Sequence, residues 1–146
     1  MLKAKDVIIN MRTIQGVDGK GDILDFLTDG IYSHEGGVSC ISYEESEVTG
    51  MPGTKTSVIV SPGGVVVDRS GPVTSRMEFC EGEKSQFIYS TPYGKATLGL
   101  RTRKIDHSFD EAGGHVVIDY DIDVEHTVFA KNKLILDVKP EQKTYA

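Results

Sequence analysis

Apolar and polar side chains alternate along most of this chain with a period of two, which places successive side chains on opposite faces of an extended strand. The clearest run is 115–125, where Val116, Ile118, Tyr120, Ile122 and Val124 alternate with Val117, Asp119, Asp121, Asp123 and Glu125. One face of this strand is apolar and the other acidic. The same period orients Val7, Ile9 and Met11; Leu24, Phe26 and Thr28; Ile41 and Tyr43; Val58 and Val60; and Val65 and Val67. It continues through Met77 and Phe79; Phe87 and Tyr89; Leu98 and Leu100; and Leu134, Leu136 and Val138. No apolar stripe of helical spacing competes. The pattern predicts about ten strands, each with one apolar face.

The connectors carry turn chemistry. Asp18-Gly19, Gly36-Gly37, Pro62-Gly63-Gly64, Pro92-Tyr93-Gly94 and Gly113-Gly114 supply the positive φ values, or the fixed proline φ, that join neighbouring antiparallel strands. Strands of this kind either pack as two sheets or curl up, and closure removes exposed edges. The expected fold is therefore all-β: one closed antiparallel up-and-down barrel over residues 1–146, read as a single domain. Gly30 and Gly99, inside predicted strands, are candidate bend or bulge points. The longer connector 46–53 is expected to hold a rim loop or a short helical turn.

Composition narrows the function classes. The chain has 146 residues, 38% of them apolar, with 16 glycines, six tyrosines and no tryptophan, which fits a turn-rich folded chain. A net charge of -6 and the absence of a basic patch argue against nucleic-acid partners. Near the start, the longest apolar run is Val7-Ile8-Ile9, too short for a signal peptide or a membrane span, so a cytoplasmic location without membrane partners is expected. Cys40 and Cys80 lack the spacing of a zinc site and read as reduced thiols.

The segments Thr28-Asp29-Gly30-Ile31-Tyr32, Ser42-Tyr43-Glu44-Glu45, Arg69-Ser70-Gly71 and Tyr89-Ser90-Thr91-Pro92-Tyr93-Gly94, with the strand around Ile118-Asp119-Tyr120, carry a resemblance. In their order and spacing, over nearly the whole length, the chain resembles the YwiB-like family of uncharacterised bacterial proteins. The resemblance implies a calycin-like, lipocalin-like β-barrel and brings no activity or catalytic residues. Where fatty-acid-binding barrels have a helical lid between their first two strands, residues 15–21 leave only a short turn.

The anomaly in the alternation is Arg69, which shares its face with Val65 and Val67 and therefore points inward. Glu45 follows Ile41 and Tyr43 on their inward face, so an Arg69–Glu45 pair inside the barrel is one expectation. A buried arginine requires a carboxylate, several hydroxyls or carbonyls, or a bound anion. Tyr43, Tyr89 and Tyr120 lie on inward faces and Tyr93 at a rim turn, each able to offer a phenol hydroxyl. Three readings stand: an internal ion-pair and tyrosine network that sets register, a site for a ligand carboxylate or phosphate with an apolar body, or a strand-end position from which the arginine snorkels to water.

Other constellations point to ordinary surface. Asp119, Asp121, Asp123 and Glu125 face outward beside Arg101 and Arg103, an arrangement suited to cross-strand ion pairs and too extended to wrap a calcium ion. His34, His107, His115 and His126 fall near strand ends or loops without metal-ligand spacing. No nucleophile elbow or phosphate-cradling loop is present, so neither a cofactor nor catalytic residues are expected. The leading function is non-enzymatic binding of a small amphipathic acid or phosphate, with Arg69, Glu45, Tyr43, Tyr89, Tyr93 and Tyr120 as ligand-binding candidates. The alternatives are a protein-interaction module with a fully packed barrel and, last, an enzyme with a rim site. The oligomeric state is left open.

Overall fold

The computed structural model describes residues 4–17, 20–125 and 127–141. Ten strands follow one another: β1 (Lys5–Val17), β2 (Lys20–Glu35), β3 (Val38–Glu44), β4 (Lys55–Ser61), β5 (Gly64–Ser70), β6 (Ser75–Phe79), β7 (Lys84–Thr91), β8 (Gly94–Asp110), β9 (Gly113–Val124) and β10 (Thr127–Pro140). They form one antiparallel sheet in the order β6-β5-β4-β3-β2-β1-β10-β9-β8-β7. Consecutive strands pair throughout, and β1 pairs with β10, so the meander curls into a ring. Its ends meet at a narrow junction. Between β6 and β7 there is a single bridge, Thr74 opposite Ser90, in which each amide donates to the other's carbonyl at 2.9 Å. The barrel is thus nearly closed, with one seam where a full ladder is missing.

The inward faces are the apolar faces of the alternation. Val7, Ile9, Ile41, Val58, Val65, Leu100, Val116, Ile118 and Leu136 are buried in one core, with Phe26, Tyr89, Leu98, Ile105, Phe109 and Tyr120 packed against it. Strand length makes the wall uneven. β1, β2, β8, β9 and β10 run 12–17 residues, whereas β3 to β6 run five to seven. Residues 20–30 of β2 pair with β1 alone, because pairing to β3 begins at Ile31 opposite Ser42. Leu24, expected on an inward face, is accordingly exposed: among the described residues no strand but β1 pairs with this upper stretch of β2.

Two glycine sites shape the sheet. Gly36 and Gly37 take φ values of 61° and 79°, the two positive angles that a tight β2–β3 turn demands. Gly30 lies where β2 leaves β3, and a Cβ there would come within 2.6 Å of the Ser42 carbonyl oxygen and collide with the Ile9 side chain. The ladder irregularities fall elsewhere, between Thr102 and Lys104 on β8 and between Val128 and Ala130 on β10, so Gly30 and Gly99 are not bulge positions. The connector after β3 holds one 3-10 turn, η1 (Glu47–Thr49). Ser46 caps it by accepting from the Val48 amide at 3.2 Å, and Gly50 ends it at a φ of 78°.

Candidate functional site

Register alone builds a polar row across the short wall. Tyr43 on β3 is opposite Thr56 on β4, Thr56 is opposite Arg69 on β5, and Arg69 is opposite Ser75 on β6. Tyr43, Thr56 and Ser75 are buried and point inward, and the parity of β5 carries Arg69 with them. Such a row interrupts an otherwise apolar interior, so each polar atom requires a partner. Several have none. Among the described residues, Arg69 Nε, Thr56 Oγ1, Ser75 Oγ and Glu45 Oε1 are buried without a hydrogen-bond partner, and Arg69 Nη1 donates to the Met77 sulfur at 3.8 Å.

The ion pair expected between Arg69 and Glu45 is not formed. Both residues face inward, and Glu45 is only 7% exposed, but β4 stands between their strands and Thr56 occupies the position directly beside Arg69. Two strand spacings of roughly 4.8 Å each therefore separate them. Glu45 also lies just past the end of β3, held by its amide donating to the Thr54 carbonyl at 2.8 Å. Burial raises the Glu45 carboxyl above its ordinary range, while Arg69, and then Tyr43 and Thr49, pull it back.

On the other side of Arg69 lies a cavity of about 430 Å³. Its wall is largely apolar, formed by Met77, Phe87, Leu98, Ile122 and Val124, with Tyr89, Tyr120, Gln15 and Asn132 adding polar edges. Among the described residues, Arg69 is the one charged side chain that lines it. The cavity occupies the end of the barrel where the long strands outrun the short ones, and Val124, 41% exposed, marks its outer margin. Tyr120 packs edge-on against Phe79 with ring centroids 5.0 Å apart, and burial pushes its phenol pKa up, opposed by Arg69. Tyr43 is shifted up chiefly by burial as well, and its hydroxyl donates to the Met11 sulfur at 3.5 Å.

The structure thus gathers Arg69, Tyr89 and Tyr120 at the cavity, with Tyr43 and Glu45 farther along the same interior. Tyr93 is not among them. It sits in the β7–β8 turn with its side chain 99% exposed, because the turn residues leave the barrel wall altogether. Thr56 and Ser75 are the polar residues that the sequence reading passed over; their inward parity was visible beside Val58, Val60, Met77 and Phe79.

A second polar network closes the opposite end. The fully buried Tyr32 hydroxyl donates to the Asp110 carbonyl and lies 3.1 Å from Ser39 Oγ, which in turn meets His34 Nδ1 at 2.7 Å. His34 is therefore a hydrogen-bonded partner rather than a free surface side chain. His107 and His115 are exposed, and His126 lies outside the described residues. On the outer face Arg103 pairs with Asp121 at 3.2 Å and Lys133 with Asp119 at 3.8 Å. Arg103 falls at the β8 irregularity, and among the described residues Arg101 makes no ion pair although it is opposite Asp121 in register. Cys40 and Cys80 are free thiols. Among the described residues no three His, Cys, Asp or Glu side chains converge as a metal site, and no helix is long and apolar enough to cross a membrane.

These features define an all-β protein, a nearly closed ten-stranded antiparallel barrel with an open interior pocket at one end. The chain belongs to the DUF1934 family, a domain of unknown function whose pattern matches residues 9–136. It is 30% identical over 124 residues to the uncharacterised β-barrel protein YwiB of Bacillus subtilis (strain 168), an alignment covering 85% of this chain and 86% of that one. The crystal structure of the ywiB protein from Bacillus subtilis superposes with a TM-score of 0.83 at 25% identity, covering 97% and 96% of the two chains.

Proposed function

We propose that this protein is a calycin-like barrel that binds a small amphipathic anion in its open cavity without catalysing a reaction. Arg69 meets the charged head, and Met77, Phe87, Leu98 and Ile122 enclose the apolar body. One observation carries this reading: among the described residues, the single charged residue lining an apolar cavity has a buried, unpartnered Nε and only a thioether for its Nη1. A guanidinium in that setting is under-satisfied, and a carboxylate or phosphate supplies the bidentate acceptor it lacks. The volume falls within the range usual for small-molecule sites. Two free thiols and an acidic balance fit a reducing, cytoplasmic setting.

Native mass spectrometry of freshly purified protein, followed by solvent extraction, tests the reading. A bound acid or phosphate is expected in the wild type and absent from Arg69→Met. Retention of the same ligand by Arg69→Met would overturn it.

A second reading, docking of a partner protein, is favoured by a different feature. Among the described residues, the edge of residues 20–30 of β2 that faces away from β1 is paired to no strand, and Ile23, Leu27 and Ile31 lie exposed along the outer face of β2. Such an edge suits addition of an extended segment from another protein. The cavity argues against the fully packed barrel that this alternative first implied.

A further inference from the structure

The cavity has a second polar wall. Along β10 the inward positions Ala130, Leu134, Leu136 and Val138 are buried and apolar, and Asn132 is the polar exception among them. Its register partners repeat the exception: Gln15 on β1 is opposite Asn132, and Asn132 is opposite Tyr120 on β9. All three line the cavity, with Asn132 half-buried and Gln15 exposed. Strand order sets this row against Arg69. Counting across the seam, β10 is five strands from β5 in either direction round the ring, so the two strands face each other across the interior. Met77, Phe87, Leu98 and Ile122 supply the apolar lining of the space that joins them.

We infer that the ligand is bifunctional: an acid whose anionic head meets Arg69 and whose other end carries an uncharged hydroxyl or carbonyl held by Asn132 and Gln15. The inference rests on the reading of the cavity as an anion site. A carboxamide both donates and accepts, and among the described residues neither of these two side chains makes a hydrogen bond within the protein. An acid ending in a methyl group lays that methyl against the carboxamides and strips them of water without return. A hydroxyl or carbonyl replaces the water. A second carboxylate is no substitute, because among the described residues no cation but Arg69 lines the cavity, and a charge brought to the far wall loses hydration unmatched. Ten strands spaced about 4.8 Å at the usual tilt close to a width of about 20 Å, and side chains reaching in from both walls leave about 10 Å, roughly an eight-carbon chain.

The test is isothermal titration at neutral pH of octanoate, 8-hydroxyoctanoate and octanedioate into the wild type, Arg69→Met and the double variant Gln15→Leu, Asn132→Leu. Wild type is expected to bind 8-hydroxyoctanoate at least about fivefold more tightly than octanoate, the worth of one net hydrogen bond, and at least about fivefold more tightly than octanedioate. The double variant is expected to bind octanoate as tightly as the hydroxy acid or more so, and Arg69→Met to lose all three. The wild-type ranking needs no variant, so it decides the matter even where a substitution prevents folding. Equal or tighter binding of octanoate or octanedioate by the wild type overturns the inference and leaves the anion site intact. A preference for the hydroxy acid that survives in the double variant overturns the assignment of the far end to Asn132 and Gln15. Failure of the wild type to bind any of the three overturns the anion-site reading itself.

Discussion

Arg69 donates to the sulfur of Met77 at 3.8 Å and forms no ion pair with Glu45, the other inward charge of the short wall. A thioether is a weak acceptor, so the guanidinium is held in place by packing and register more than by electrostatic satisfaction. This separates the present interior from one stabilised by a buried salt bridge, and the difference shows in stability.

Arg69→Met is expected to leave the ligand-free protein about as stable as the wild type. Breaking a closed buried pair costs about 3–5 kcal/mol, whereas here the partner is two strands away, and the coupling between Arg69→Met and Glu45→Gln is expected below about 1 kcal/mol. Urea unfolding of the wild type, both single variants and the double variant measures it. A coupling of several kcal/mol would show that the pair closes in solution.

Glu45 predicts a pH dependence. Its carboxyl is raised in the folded chain, mainly by burial, above the ordinary value of 4.5. The folded state thus holds this proton more tightly than the unfolded state, so the group opposes folding once it ionises. The penalty is absent below the ordinary value, grows as pH rises through the raised one, and is complete at neutral pH. Glu45→Gln is therefore expected to be more stable than the wild type at pH 8, with the gap closing by pH 4. A constant gap across that range in urea titrations would contradict the assignment.

Tyr32→Phe is expected to destabilise the barrel by about 1–3 kcal/mol, the cost of leaving buried polar groups unpaired. The hydroxyl bridges the Asp110 carbonyl and Ser39 Oγ at the packed end, joining β2 and β3 to the β8–β9 corner. Thermal and urea unfolding report the loss. The cavity lies at the other end, so retention of a bound acid or phosphate per folded molecule in native mass spectrometry is expected to stay within about twofold of the wild type.

Gly30→Ala tests the fork between β2 and β3. The added Cβ meets the Ser42 carbonyl oxygen at 2.6 Å, a backbone contact that no rotamer change relieves. Overpacking of this kind typically costs about 1–3 kcal/mol. The outcome is read by urea unfolding, with Gly99→Ala as comparison: there the crowding atoms belong to the Asp123 side chain, which can swing aside, and a smaller loss is expected.

Local patterning is enough to specify what a two-residue period can encode: strands, faces and turns. Alternation placed Arg69 and Glu45 inward, Asp119 and Asp121 outward, and the paired glycines at the β2–β3 turn, because a side chain's face follows from its parity along one strand. It also marked the apolar faces that drive closure. Distance across the sheet is a different quantity. Parity says that two residues share an interior without saying how many strands lie between them, and only the strand order put Thr56 between Arg69 and the strand that leads to Glu45. Relative strand length was equally hidden. Alternation runs through Leu24 as through Phe26, yet the residues facing β2 above Gly30 are missing because β3 ends early, which exposes Leu24 and leaves the edge of residues 20–30 unpaired. The cavity follows from the same mismatch: side chains of the long strands at one end have no short-wall residues to pack against, and that vacancy depends on three-dimensional closure that no local pattern records.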